Sequence, residues 1–154
     1  MKLIIFEDKK TKSLFPFCEN HASFEIKVGI YTNLERILFI HKDNDGVCLI
    51  VRKEIEKIIK QKYPKYEVNP KIVPQGKCFN GRSICEDDKT CFQYIKNDMS
   101  LEKFHKQLSE VEENNNCLQI NFLWDLFKYN NQFFSSDINI YKFNALSSFP
   151  SVKK

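Results

Sequence analysis

Met1-Lys2-Leu3-Ile4-Ile5-Phe6-Glu7-Asp8 opens the chain, and the reading of the fold starts there. Leu3 to Phe6 is an unbroken apolar run that meets two acids at once. A short continuous run closed by turn-like residues reads as a buried strand. The next residues are basic: Lys9, Lys10 and Lys12 lie in a loop expected over residues 9–13. Leu14-Phe15-Pro16-Phe17 comes after it, with Pro16 fixing a bend, and Gly29 permits close backbone approach.

Working outward, strand and helix signals alternate. Arg36 to Ile40 reads as a second strand or the end of a helix, and Asp43-Asn44-Asp45-Gly46 has turn chemistry. Val47 to Val51 is a strand. Lys53 to Tyr63 is a helix with Ile55, Ile58 and Ile59 on one face, stopped by Pro64. This succession predicts a βαβ unit. Pro70 and Pro74 confine the next stretch to short or edge strands. Cys78-Phe79 leads into the turn dipeptide Asn80-Gly81. Ser100 is an N-cap for a helix carrying Leu101, Phe104, Leu108 and Val111, with residues 110–116 as its polar end. His105 lies near its apolar face and reads as structural. Leu118-Gln119-Ile120 is a short strand. Asn121 caps a last helix with Leu123, Leu126, Phe127, Asn130 and Phe134 in register. The fold class is α/β, with a sheet at least partly parallel: one domain over residues 1–146 and a loose tail at 147–154.

Composition bounds the function. The chain has 154 residues, enough for one domain with a real core. A net charge of +4 is compatible with an anionic substrate and does not argue for nucleic acid. Fourteen Phe and six Tyr point to a thick aromatic core, with some rings left for a pocket or a partner. The first apolar run is too short for a leader, and no stretch approaches the ~20 apolar residues of a membrane helix. The six cysteines, Cys18, Cys48, Cys78, Cys85, Cys91 and Cys117, form no C-x-x-C pair. They read as reduced thiols of a cytoplasmic protein, with a zinc site from Cys78, Cys85, Cys91 and a histidine as the weaker rival.

Ligands of alternating α/β sheets bind outside the carboxyl ends of the strands, so the loop after the first strand is the first candidate site. Its lysines would meet phosphates as point charges, but without glycine it is no phosphate cradle. Otherwise it is a solvated turn. Arg82, after Asn80-Gly81, has a guanidinium suited to a phosphate or carboxylate, or is an exposed arginine on a hairpin turn. Asp125, after the only tryptophan, is either a Mg²⁺ ligand or a carboxylate favoured by the start of its helix. Trp124 is a core or interface residue, or a base-stacking platform. His21, in a loop before Phe24, is the histidine with a functional reading.

Taken in order, these pieces resemble a family of bacterial sugar nucleotidyltransferases, variants of the bifunctional N-acetylglucosamine-1-phosphate uridylyltransferase. The family's strand ending in Phe-Asp-Asp is matched by Phe6-Glu7-Asp8, and its Leu-Leu-Pro-Leu by Leu14-Phe15-Pro16-Phe17. Its Thr-Arg-Pro-Val-Ala-Glu-Leu-Arg-Val-Gly-Ile corresponds to Asn20 through Ile30. Its Leu-Asn-Gly-Arg falls on Phe79-Asn80-Gly81-Arg82. Its Pro-Trp-Asp-Leu-Phe, then Asn and Asp, falls on Leu123-Trp124-Asp125-Leu126-Phe127, Asn130 and Asp137. The resemblance covers roughly residues 1–140.

The resemblance implies a nucleotide-diphospho-sugar-transferase-like fold in a shortened form: a mixed, mostly parallel sheet flanked by helices. It implies attack of a sugar 1-phosphate on the α-phosphate of a nucleoside triphosphate, with Mg²⁺ and release of pyrophosphate. The products would be sugar nucleotides such as UDP-N-acetylglucosamine, for cell-envelope polysaccharide. On this reading Lys12 and Lys27 are catalytic cations, and Glu25 orients Lys27. Glu7, Asp8, Lys10, Glu25, Asn80 and Arg82 contact substrate, and Asp125 holds the metal. Family members continue into a β-helix of hexapeptide repeats, through which a homo-oligomer would form. No such repeat follows Asp137, so the chain is either a piece of a longer protein or a stand-alone domain. Two family arginines are replaced, by Thr11 and His21. These replacements motivate the alternative: a non-catalytic module that binds a nucleotide sugar, organises an oligomer or docks another protein.

Overall fold

The computed structural model describes residues 1–84, 92–110 and 117–148. In chain order the elements are β1 (Lys2–Phe6), β2 (Lys27–Val28), β3 (Tyr31–Thr32), α1 (Asn33–Ile40) and β4 (Val47–Ile50). They continue with α2 (Glu56–Lys62), β5 (Glu67–Val68), β6 (Ile72–Val73), β7 (Gly76–Asn80) and β8 (Ser83–Ile84). Last come β9 (Phe92–Ile95), β10 (Met99–Ser100), α3 (Leu101–Glu110), β11 (Leu118–Gln119) and α4 (Leu123–Ser148).

The main sheet has the order β5-β4-β1-β7-β9, with β1 at its centre. β1 runs parallel to β4 and β7, β5 runs parallel to β4, and only β9 is antiparallel. The apolar run of β1 is explained by this position. Leu3 and Ile5 face one core with Val47, Leu49 and Phe79, covered by Leu34 and Ile37 of α1 and Ile59 of α2. Ile4 faces the other with Cys48, Ile50 and Cys78, covered by Phe104 of α3. A strand wrapped on both faces needs no polar alternation. The fold is thus an α/β protein with a mixed, mostly parallel sheet flanked by helices.

The expected βαβ succession is present and occurs twice, as β1–α1–β4 and β4–α2–β5. Residues 36–40 are helical. α1 starts earlier, at a capping box: Thr32 Oγ1 accepts from the Glu35 N–H at 3.1 Å, and Glu35 Oε2 accepts from the Thr32 N–H at 2.7 Å. The basic segment is a 3₁₀ helix over Lys9–Leu14 rather than an open loop. Lys53–Ile55 is a 3₁₀ turn leading into α2, and Ile58 points outward while Ile55 and Ile59 are buried. β5 is an edge strand and β6 has two residues, as Pro70 and Pro74 require. Ser100 Oγ accepts from the Lys103 N–H at 3.3 Å at the head of α3, but His105 is exposed. Val111, residues 111–116, Cys85 and Cys91 lie outside the described residues.

α4 seats one step away from the expected face. Leu126, Tyr129 and Phe133 pack inward, with Asp137 below them, while Phe127 is 82% exposed and Phe134 also faces out. The polar contacts choose this register. Asn130 Oδ1 accepts from the Gly29 N–H at 3.0 Å, and Asp137 Oδ2 from the Ile30 N–H at 2.9 Å. Gly29 has φ +75°, and a Cβ there would stand 2.4 Å from Asp137 Oδ2 and 2.9 Å from the Phe133 carbonyl carbon. Gly29→Ala is therefore expected to cost about 2–3 kcal/mol in urea unfolding, from left-handed backbone and a clash with a helix that cannot yield. The helix runs to Ser148, so the tail expected from Ser147 begins as helix and otherwise falls outside the described residues.

Candidate functional site

β1, β4 and β7 end together, and the residues just beyond them form one polar edge. From β1 come Glu7 and Asp8, from β4 comes Arg52, and from β7 come Asn80 and Arg82. The parallel register places Phe6 beside Ile50 and Asn80, so these side chains leave the sheet at one level.

Two carboxylate–guanidinium clusters occupy this edge. Glu7 Oε1 accepts from Arg52 Nη1 at 2.7 Å and from the Ser23 N–H at 2.9 Å, while Oε2 takes the Arg52 N–H at 3.0 Å. Arg52 Nη2 also donates to the carbonyls of Cys18, Glu19 and His21. Its guanidinium lies 5.5 Å from the centre of the Phe15 ring. Arg52 thereby ties residues 15–21 to the sheet. In the second cluster Arg82 Nε donates to Asp8 Oδ1 at 2.7 Å and Nη2 donates to Asp8 Oδ2. Arg82 Nη1 reaches Ile120 O at 2.9 Å and Asn121 Oδ1 at 2.8 Å, and Asn80 Nδ2 donates to Asp8 Oδ2 at 2.8 Å.

The two acids respond differently. Burial pushes the Glu7 carboxyl up, and Arg52 offsets only part of this. Burial also acts on Asp8, but the hydrogen bonds and charge of Arg82, helped by Asn80, hold its carboxyl below the usual range. Burial pushes the Cys18 thiol up to about 11 and Cys48 up to about 12. Both are inert neutral thiols rather than nucleophiles.

The expected residues fall into two groups. Glu7, Asp8, Asn80 and Arg82 come together at the edge. Lys10 and Lys12 are exposed on the 3₁₀ turn that comes after Asp8. Arg82 itself is fully buried and braces the floor of the edge through Asp8 and Asn121. Lys27 is exposed on β2, paired in register with Thr32. Glu25 does not serve as its orienting partner. It accepts from the Ala22 N–H at 2.8 Å and the Tyr63 hydroxyl at 2.9 Å, and pairs with Lys62. Burial raises the Glu25 carboxyl, but Lys62, Ala22 and Tyr63 outweigh it and leave a lowered pKa. The His21 carbonyl accepts from Arg52, and its Nδ1 lies 3.7 Å from Glu25.

Asp125 accepts from the N–H groups of Asn121 and Phe122 at 2.8 and 2.9 Å, closing the first turn of α4. Both oxygens of Asp8 and of Glu7 already accept from guanidinium or amide donors. Among the described residues no three His, Cys, Asp or Glu side chains gather as a metal site. Glu7 and Asp8 as arranged thus present no unengaged oxygen to a resident Mg²⁺, while on Asp125 it is Oδ2 that the backbone engages. Thr11 is buried and its Oγ1 has no hydrogen-bond partner. A cavity of about 310 Å³ lined by residues 94–99, Lys103 and Gln107 lies at the opposite, amino end of the parallel strands. It is not part of this edge.

Sequence reasoning passed over Arg52 and Arg36. Arg52 had a legible signal, since it lies just past the β4 strand at its carboxyl end. Arg36 had none. It donates to Asp137 Oδ1 at 2.6 Å and Oδ2 at 2.8 Å, and to Val28 O at 2.8 Å, and its main partner is 101 residues away.

A mostly parallel α/β sheet with its polar residues gathered at the carboxyl ends of the central strands has the form of a nucleotide-diphospho-sugar-transferase-like fold. The sugar nucleotidyl transferase family model matches residues 3–144, and the chain belongs to that family. No curated protein and no solved structure matches the chain. Among the described residues, no helix is long and apolar enough to cross a membrane.

Proposed function

We propose that the chain transfers a nucleotidyl group from a nucleoside triphosphate to a sugar 1-phosphate at the carboxyl edge of β1 and β7. The observation that carries this is the coincidence of the family match with the edge itself, where Glu7, Asp8, Asn80 and Arg82 converge beside an exposed lysine turn. A phosphate oxygen of the sugar 1-phosphate attacks the α-phosphorus. The new O–P bond forms as the bond to the β-phosphate oxygen breaks, and pyrophosphate leaves. Such a reaction needs positioning and cationic compensation more than a covalent nucleophile.

Lys10 and Lys12 are assigned to the phosphates, with Lys12 catalytic; Lys27, exposed on β2, is the second catalytic cation that the family resemblance implies. Asp8, Asn80 and Arg82 form the braced floor against which the substrate is placed, and Glu7 anchors Arg52. Mg²⁺ supplied with the nucleoside triphosphate would add charge compensation for the phosphates. The test is pyrophosphate release from a panel of nucleoside triphosphates and sugar 1-phosphates with Mg²⁺. Release from at least one pair is expected. No release, with no binding of any nucleotide by calorimetry, overturns the reading. Replacing Lys10 and Lys12 together by Ala is expected to weaken nucleotide binding about tenfold by calorimetry, at two lost phosphate contacts worth about 0.5–1 kcal/mol each. The melting temperature should stay unchanged, because both side chains are exposed.

A second reading has its own observation. The edge carboxylates are satisfied internally, and Thr11 stands where the family carries an arginine. These favour a module that binds a nucleotide sugar without turning it over. Saturable binding of a nucleotide sugar with no pyrophosphate released from any pair would select it.

A further inference from the structure

Trp124 is 64% exposed at the head of α4, an unusual place for the largest aromatic side chain. Its ring stacks on Phe122 with centroids 4.5 Å apart and planes 11° from parallel. One face of the indole is thus used, and the exposure leaves the other to solvent. The backbone that carries the plate is pinned. Asp125 Oδ2 accepts from the Phe122 N–H at 2.9 Å, and Asn121 is fixed to Arg82 Nη1 at 2.8 Å.

The same point is tied to the lysine turn. Ser13 Oγ donates to Asn121 O and lies 2.7 Å from Lys10 O. The turn that carries Lys10 and Lys12 and the segment that carries the plate are therefore joined at Ser13 and Asn121, at the carboxyl end of β1 and β7. An exposed aromatic plate on a segment tied to a basic turn suits a ligand made of a flat ring joined to an anion. We propose that Trp124 is the stacking surface for the nucleobase, with Lys10 and Lys12 on the attached phosphates. This rests on the nucleotidyl transfer reading and names the residue that holds the base. Stacking is tolerant of base identity, because every base has a π face. The plate sets position, and discrimination among bases comes from elsewhere. Because its contacts are fixed before binding, little ordering is needed on association.

Trp124 is the only tryptophan, so its emission reads this site alone. Nucleoside triphosphates are titrated against the full chain, with inorganic tripolyphosphate as the control lacking a base. The expected result is saturable quenching by the nucleotides and none by tripolyphosphate. Trp124→Ala should weaken nucleotide affinity about tenfold by calorimetry while leaving tripolyphosphate affinity unchanged. Trp124→Phe should recover part of the loss. If nucleotides bind by calorimetry but emission does not change and Trp124→Ala binds equally well, the stacking role is overturned while nucleotide binding stands. If no nucleotide binds the parent chain at all, nucleotidyl transfer fails and the stacking role falls with it. Trp124→Ala should keep the parent's melting temperature, so a loss of affinity will not reflect unfolding.

Discussion

Asp137→Ala is expected to lower the unfolding free energy by about 3–5 kcal/mol, the range for removing one partner of a buried ion pair. Asp137 is 0% exposed, and both its oxygens accept from Arg36, at 2.6 and 2.8 Å. Arg36 is itself buried, with its guanidinium 5.0 Å from the Phe133 ring centre. The truncation would strand that charge and leave the Ile30 N–H without its carboxylate. For a chain of this size the melting point should fall by about 10 °C. Urea unfolding followed by far-ultraviolet circular dichroism measures it. A loss below about 1 kcal/mol would show that the pair does not hold α4. The double variant Arg36→Met with Asp137→Leu is expected to be less destabilised than Asp137→Ala, since an apolar pair leaves no stranded charge. A double variant worse than the single would assign the loss to packing volume.

Arg82→Ala carries the second large effect, again about 3–5 kcal/mol in the same unfolding measurement. The side chain is fully buried and satisfies both oxygens of Asp8, the Ile120 carbonyl and the Asn121 amide oxygen. Its removal takes the arginine donor from Asp8 Oδ1, the Ile120 carbonyl and the Asn121 amide oxygen, leaves Asp8 Oδ2 with Asn80 alone, and opens a void at the end of β7. Arg82→Lys is the sharper variant. It keeps the charge but loses the planar fork, so it should recover only a small part of the stability. If Arg82→Lys instead matches the parent in stability and loses only nucleotide affinity, the guanidinium acts on the ligand and the bracing role fails. Acid should expose the same cluster. Asp8 has a lowered pKa in the fold, so its contribution is complete above the unfolded aspartate value near pH 4 and is lost as pH falls through the lower folded value.

The motifs that resembled a family gain a physical meaning from these contacts. Gly29, Asn130 and Asp137 are far apart in sequence and meet where α4 crosses the β2–β3 hairpin. Asn80 and Arg82 meet Asp8 across the β1–β7 register. Their order along the chain was legible, but their pairing was not. The capping box Thr32-x-x-Glu35 sets the start of α1 earlier than the apolar run alone indicates. The face of α4 could not be read, because aromatic residues occur on both sides of it and only the hydrogen bonds of Asn130 and Asp137 select one.

The sequence by itself determined the α/β class, the central buried strand, the βαβ succession and the edge at which polar residues would gather. Each of these depends on local pattern: apolar runs, helical period, turn dipeptides and prolines. The tertiary structure alone decided which charges are partnered. It set Arg52 on Glu7, Arg82 on Asp8, Lys62 on Glu25 and Arg36 on Asp137. It also left Trp124 uncovered while burying Arg82. Ion pairs form between side chains brought close by packing, and no spacing along the chain encodes a partner that the fold carries in from 101 residues away.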